Sequence, residues 1–259
     1  MKMSANTILI TGSGSGIGLA LAEEFAKLGN QVIIAARSPE KLEIAARKGF
    51  KTETADMSNF PSIQSLAKRV IQNFPSLNVV IHNAGISKIE NFIKGVDAKI
   101  QEEIIATNLL GPMRLTDALL PHLLKQKSGA IMTVSSGLAF LPNAQSPTYC
   151  ATKAAIHSYT QSLRYQLKDT AIQVIELPPP YVQTSLMNKY QATDPRAMPL
   201  KDFISEVMQI LKEQPQVKEV LVNQVLQLRF SAEGGTEKYE TLLQKYNDQV
   251  AAVHASNKQ

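Results

Sequence analysis

The opening of the chain constrains it most. A short β-branched run, Thr7–Thr11 (TILIT), passes without a spacer into Gly12-Ser13-Gly14-Ser15-Gly16-Ile17-Gly18, and Ile17, Ala20, Leu21, Phe25 and Leu28 then recur at helical spacing. Glycines lack a Cβ and let the main chain come close to a diphosphate. The helix behind them offers free N–H groups and the positive end of its dipole. The variant of the turn matters. G-x-G-x-x-G fails, because Ile17 stands at the third position, and no Gly-Lys-Ser/Thr marks a P-loop. T-G-x-x-x-G-x-G fits, through Thr11, Gly12, Gly16 and Gly18. A tight turn that binds nothing would not need four glycines in seven positions.

The same alternation continues. Gln31–Ala35, Lys51–Ala55, Asn78–His82, Gly129–Ser135 and Ile172–Leu177 read as further strands. Pro39–Lys48, Pro61–Phe74, Asp97–Lys127 and Tyr149–Leu167 read as helices between them, and Phe203–Lys212 and Glu219–Val222 add a last helix and strand. Apolar strands alternating with helices imply a parallel sheet covered on both faces, and right-handed crossovers make it doubly wound. The expected fold is therefore α/β: one Rossmann-type domain over residues 1–259, with a mostly parallel sheet of about seven strands. The polar stretch from Ser231 is expected as a surface helix and a frayed end. With 44% hydrophobic and 19% charged residues, the chain is no disordered segment. One cysteine excludes a disulfide framework or a multi-cysteine metal site. The net charge of +5 is mild and its Lys and Arg are scattered, which argues against a nucleic-acid partner.

Where the second strand ends, an acidic residue would bind the adenosine ribose of NAD. Ala35-Ala36-Arg37 stands there instead. The fork and fixed charge of Arg37 suit a 2′-phosphate and favour NADP over NAD as cofactor. Tyr149 and Lys153 are four apart and share a helical face, and the fifth strand ends in Ser135-Ser136. In a doubly wound sheet these positions face the same crevice as the glycine turn. Hydride transfer to a carbonyl needs a proton donor, and the reverse needs a base. An ammonium about 4 Å from a phenol is worth about 4 kcal/mol at an effective dielectric near 20. Tyr149 is thus expected to titrate below its reference value of about 10, with Ser136 bonding the substrate oxygen.

These pieces together resemble the short-chain dehydrogenase/reductase family, from Thr7 to about Thr184, and are similar to its bacterial DltE-like subgroup in Glu176-Leu177-Pro178-Pro179-Pro180. Thr11-Gly12-x-x-x-Gly16-Ile17-Gly18 looks like the family's cofactor turn. Ala55-Asp56-Met57-Ser58 looks like its adenine-contacting segment, and His82-Asn83-Ala84-Gly85 like its Asn-Asn-Ala-Gly. Asn108-Leu109-Leu110-Gly111 matches the segment carrying its structural and catalytic Asn. Pro179-Pro180-Tyr181-Val182-Gln183-Thr184 resembles its Pro-Gly-x-Val-x-Thr, and Ser136 precedes Tyr149 by thirteen residues, as in the family.

The resemblance implies Ser136, Tyr149, Lys153 and Asn108 as catalytic residues. As cofactor contacts it implies Gly12, Ser13, Ser15, Gly16, Ile17, Arg37, Asp56, Met57, Asn83, Ala84, Gly85, Tyr149, Lys153, Pro179, Val182 and Thr184. In that scheme Lys153 holds the nicotinamide ribose and lowers the Tyr149 pKa. Asn108 holds a water linking Lys153 to solvent, Thr184 binds the carboxamide, and Asp56 accepts from the adenine amine. Residue by residue, Asn108 sits in a helical pattern, where Asn is usually solvated. His82 and Pro180 depart from the family pattern; Pro180 removes a backbone donor.

The remaining features point to packing. Cys150 has no His close by in sequence and reads as a small core residue. His82, His122, His157 and His254 show no metal-ligand spacing, so no metal is expected, and His122 and His157 read as solvated helix residues. The polar Ser185–Pro199 segment is expected to cover the substrate. The glycine turn interrupts the first apolar run, and Pro142, Asn143 and Pro147 interrupt the uncharged Ser128–Thr152 stretch. Neither a secretory signal nor a membrane span is therefore expected, and the protein is expected in the cytoplasm. The expected function is an NADP-dependent oxidoreductase interconverting a small-molecule alcohol and carbonyl. The resemblance suggests a homodimer or homotetramer through Asp97–Lys127 and Tyr149–Leu167. A non-catalytic NADP-binding sensor that regulates a partner is the alternative, though such a protein would be free to lose the Ser-Tyr-Lys trio. A sugar-nucleotide epimerase or dehydratase usually has a longer C-terminal region than the 75 residues after Thr184.

Overall fold

The computed structural model describes residues 1–187 and 189–256, the last four by backbone alone. Asn188 of the expected covering segment, the His254 side chain and the final three residues of the expected tail lie outside the described residues. Six strands form one sheet: β1 (Thr7–Thr11), β2 (Gln31–Ala36), β3 (Lys51–Thr54), β4 (Leu77–His82), β5 (Gly129–Val134) and β6 (Ile172–Leu177). Their order is β3-β2-β1-β4-β5-β6, and every neighbouring pair is parallel.

The two-residue alternation of a strand explains the layers. Ile8 and Ile10 of β1 pack on one face with Leu21 and Phe25 of α1 (Gly16–Lys27), while Leu9 packs on the other. That second face carries α3 (Phe60–Asn73), α5 (Gly111–Leu123) and α6 (Pro147–Gln166), through Ile63, Leu66, Leu115, Leu119 and Leu163. α2 (Pro39–Arg47) follows β2, α4 (Ala98–Ile105) precedes α5, and α7 (Leu200–Glu213) adds Phe203 and Val207 to the α1 side. The short α8 (Leu226–Arg229) and α9 (Thr236–Ser256) close the chain. No helix among the described residues is long and apolar enough to cross a membrane. The sheet winds outward from β1 to β3 and then restarts at β4 on the other side of β1. The crevice at the carboxyl ends of β1 and β4 is therefore the topological switch point.

Three expectations are corrected. The sheet has six strands, not seven: Glu219–Val222 touches β6 through one bridge, Glu176 to Glu219, and two flanking hydrogen bonds. The chain then coils into a 3₁₀ turn at Asn223–Val225, so its apolar Val220 and Val222 are buried without a ladder. The 97–127 helical pattern is broken by a π-turn at Ala106–Leu110. The third correction is to the tail's attachment alone: α9 is the expected surface helix, but it is tied to the body through Asn247, which accepts from Ala144 N at 2.7 Å and donates to Pro142 O at 3.1 Å.

Candidate active site

The glycine turn folds as its residues require. Gly12 (φ +66°) lies so close to the loop after β4 that a Cβ on it would sit 2.5 Å from Ala84 Cα. Thr11 Oγ1 accepts from Asn83 N and Ala84 N at 3.2 Å, and the Asn83 amide donates to Thr11 O and Gly12 O at 3.0 and 3.1 Å. Ser13 is buried and donates to Ile10 O at 2.6 Å, so it braces the turn from beneath. Ser15 caps α1 without a side-chain hydrogen bond to it, leaving the helix N–H groups facing a cavity of about 450 Å³.

That cavity gathers most of the expected residues. Gly12, Ser15, Gly16 and Ile17 form its floor, with Met57 nearby. Asn83, Ala84 and Gly85 line it from the loop after β4, and Pro179, Val182 and Thr184 from the loop after β6. Arg37 stands at one end and Ser136, Tyr149 and Lys153 also line it. Three expected residues do not. Ser13 points inward, as above. Asp56 turns its carboxylate onto Ser58 N and Oγ at 2.9 and 2.8 Å. Asn108 stands behind the wall.

The Asn108 surroundings overturn the expectation of a solvated helix residue. The π-turn swings Asn108 inward, and it is buried. Its Oδ1 accepts from Ile86 N and its Nδ2 donates to Ile86 O, both at 2.9 Å. A Cβ on Gly85 would lie 3.5 Å from Asn108 Oδ1 and 3.6 Å from Lys153 Nζ, so these two groups flank the same glycine.

At the chemical end, Lys153 Nζ donates to Val134 O at 2.8 Å and lies 5.5 Å from the Tyr149 ring centroid. Burial lowers the Lys153 pKa to about 8, with Glu176 opposing the fall. Burial pushes the Tyr149 phenol up to about 12, against a hydrogen bond with Ser136 that lowers it. The expected net depression of Tyr149 is thus reversed: removal of a phenolate from water outweighs the hydrogen bond. Ser136 Oγ also accepts from Leu138 N at 3.1 Å.

Other lining residues were not legible in the sequence. Ser38 caps α2 by accepting from Lys41 N, which places Lys41 in the first turn beside the glycine loop; its Nζ donates to Ser15 Oγ at 3.2 Å. The Ser38-Pro39 start of a helix directly after β2 was the signal available. Thr107, from the π-turn, presents a buried Oγ1 with no hydrogen-bond partner among the described residues. Gln191 and Leu186 bring the 185–199 segment to the cavity: Gln191 donates to Val182 O and Thr184 Oγ1 at 2.9 and 3.1 Å. Buried Asp194 anchors the segment, accepting from Tyr181 Oη at 3.2 Å and Arg196 Nε at 2.9 Å.

The residues read as packing elements divide. Cys150 is buried among Asn143 and Ser146, and burial raises its thiol pKa. His82 is buried, bonded to Thr116 Oγ1 at 2.8 Å, and burial depresses it to about 3. His122 and His157 are half-buried rather than solvated. His122 reaches Leu77 O at 3.1 Å and His157 reaches Glu176 at 2.8 Å. Three elements bring ligand atoms of His157, Glu176 and Glu219 within 4.8 Å of one another, a grouping no sequence spacing announces.

Comparison with known proteins completes the description. The model of the family described as short chain dehydrogenase matches residues 6–195. The chain is 38% identical over 255 residues to the "Uncharacterized oxidoreductase DltE" of Bacillus subtilis (strain 168), covering 96% of this chain and 99% of that one. An uncharacterized oxidoreductase of Staphylococcus aureus (strain USA300) is 32% identical over 221 residues, 84% of this chain and 94% of that one. Among solved structures, a 3-ketoacyl-(acyl-carrier-protein) reductase from Brucella melitensis complexed with NADH superposes with a TM-score of 0.74 at 26% identity, over 84% of this chain and 96% of that one. A short-chain dehydrogenase from Sphingobium yanoikuyae in complex with NADPH gives 0.76 at 25% identity, over 89% and 92%.

Proposed function

The chain belongs to the short-chain dehydrogenase family, and from that premise we propose that it is an NADP-dependent oxidoreductase that interconverts a small-molecule alcohol and carbonyl. The observation that carries this reading is one cavity lined at one end by two cations and at the other by Ser136, Tyr149 and Lys153. A nicotinamide dinucleotide fits the residues present. The glycine turn lines the cavity, the α1 N–H groups face it, and the Thr107 hydroxyl has no hydrogen-bond partner among the described residues. Arg37 and Lys41 would hold the adenosine 2′-phosphate, and Lys153 and the Pro179–Thr184 loop the nicotinamide half.

When bound, the cofactor supplies or accepts the hydride at the substrate carbon. The chain's own residues handle the oxygen. Ser136 donates a hydrogen bond to it and stabilises the charge that develops there. Tyr149 gives its proton to that oxygen as the carbonyl becomes an alcohol, and takes the proton back in the reverse direction. A phenol pushed up to about 12 keeps its proton through neutral pH, so Tyr149 stands ready as the acid for carbonyl reduction. Lys153, as an ammonium beside the ring, stabilises the phenolate left after transfer. Gln191 and Asp194 hold the 185–199 segment against the nicotinamide loop, where it covers the substrate.

The proposal extends to one domain over residues 1–259, in the cytoplasm, where the lone buried Cys150 is at home. It also extends to a homodimer or homotetramer. Exposed Ile105, Leu124 and Tyr165 on the two long helical segments support that assembly. NADPH oxidation measured against a broad panel of aldehydes and ketones tests the activity. Turnover with NADPH is expected. Tight NADPH binding without turnover of any carbonyl would favour the sensor instead.

A further inference from the structure

Behind the proton-transfer residues lies a polar cluster that the reaction as described does not use. Glu176 of β6 is fully buried. Its Oε1 accepts from Ser135 Oγ at 2.5 Å, and its Oε2 lies 2.8 Å from His157 Nδ1. An ionised carboxylate only accepts, so His157 carries a hydrogen on Nδ1, while its Nε2 lies 3.1 Å from Gln161 Nε2. The connections lead straight to the reacting groups. Ser135 immediately precedes Ser136. Val134, one residue earlier, receives Lys153 Nζ. His157 lies one helical turn beyond Lys153 on α6, on the same face.

A buried carboxylate held by one hydroxyl and one imidazole N–H is costly unless a cation stands near. Lys153 is such a cation, itself buried, with its hydrogen bond directed to a carbonyl rather than to an anion. The other charged groups facing the cluster are Arg164 of α6, Glu219 after α7 and Arg229 of α8. Arg164 donates to Val174 O and Lys218 O. Glu219 lies 3.8 Å from His157 and is held by Arg229 at 3.0 Å. Arg229 already supplies the positive charge at the outer side. The field of the inner carboxylate, Glu176, reaches two cations, Arg164 on the outer side and Lys153 on the inner, and of the two only Lys153 lines the cavity beside Tyr149.

We propose that Glu176 is a positioning residue of the proton-transfer centre: it is the buried counter-charge that keeps Lys153 an ammonium, and through Ser135 it fixes the strand end that presents Ser136. This rests on the reading of Tyr149 and Lys153 as the proton-transfer pair. Burial drives Lys153 towards its neutral form, and Glu176 is the group that works against it. Without that charge Lys153 would lose its proton at lower pH, and the phenolate would lose its stabilising neighbour.

Glu176→Gln keeps the shape and removes the charge. The pH profile of NADPH-dependent carbonyl reduction is expected to move its alkaline limb to lower pH by about one unit or more, with kcat falling and KM little changed. The titration of Lys153, followed by NMR of carbon-labelled lysine and assigned through its loss in Lys153→Arg, is expected to move the same way. Glu176→Asp, which restores the charge, should return the limb towards its original position. The NMR titration reads Lys153 whether or not a substrate is in hand. A protein inactive on every carbonyl would therefore defeat the functional reading, while the titration still decides the charge pairing. An unmoved titration with a uniform loss of rate at all pH values would show a purely structural role and overturn the proposal. If Glu176→Gln does not fold, Glu176→Ala, which leaves room for water beside Ser135 and His157, carries the same expectation and the same refutation.

Discussion

Replacing Arg37 with Ser, alone and with Lys41→Ala, is the perturbation that separates NADP from NAD. Both cations line the cavity end away from Tyr149, and they reach it differently. Arg37 is already engaged: its guanidinium lies 3.5 Å from Glu103, in a pair about half exposed on both sides. Such a pair is worth about 0–1 kcal/mol. A charge-assisted bond from a guanidinium to a phosphate is worth about 1.5–3 kcal/mol, so exchanging Glu103 for phosphate nets about 1–2 kcal/mol. Lys41, tied to Ser15 by one exposed hydrogen bond, adds a smaller point charge. At about 1.4 kcal/mol per factor of ten, Arg37→Ser should lower the NADPH-to-NADH preference by roughly 5- to 30-fold, and the double variant further. The assay is kcat/KM for both cofactors, or their dissociation constants where no substrate is in hand. Glu103→Gln should move the preference the other way by a few-fold. A ratio unchanged in the double variant would refute the assignment of these residues to a 2′-phosphate.

Two further outcomes follow from the geometry. His82 titrates near 3 folded and near 6.5 unfolded, so the unfolded chain takes up the proton first. Stability is full above about pH 6.5 and falls as the pH drops towards 3, by about 2 kcal/mol at pH 5; urea titrations across that range should show this dependence flattened in His82→Asn, and an equal slope in both proteins would contradict it. Gly12→Ala forces a side chain into the left-handed region, costing about 1–2 kcal/mol, and drives its Cβ within 2.5 Å of Ala84 Cα. A lower melting temperature and lost NADPH binding are expected, and retention of both would show that the close approach is not needed.

The features legible in the sequence are those that covalent order fixes. Strand β1, the glycine turn and α1 are contiguous, so their chemistry is local. Ser136 and Tyr149 are joined by one strand end and one helix start, and the topology brings both to the switch point. Features that depend on how elements meet were not legible. The inward swing of Asn108 needs the π-turn, which hydrophobic periodicity does not announce. Lys41 reaches the cavity only because α2 starts directly after Ser38. His157 and Glu176 are 19 residues apart on a helix and a strand, each unremarkable alone. The Tyr149 titration moves opposite to the expectation because its burial depends on the whole fold, while its neighbour Lys153 is visible in the sequence. Val220 and Val222 carried strand propensity, yet burial beside β6 satisfied them without a ladder.

The central claim is that the phenol of Tyr149 moves the proton beside the bound dinucleotide. Steady-state turnover and NADPH binding, measured together in Tyr149→Phe, test it most directly. Turnover reduced by several orders of magnitude, with the NADPH dissociation constant within a few-fold of the unaltered protein, is the predicted result. Undiminished carbonyl reduction in that variant would contradict the account.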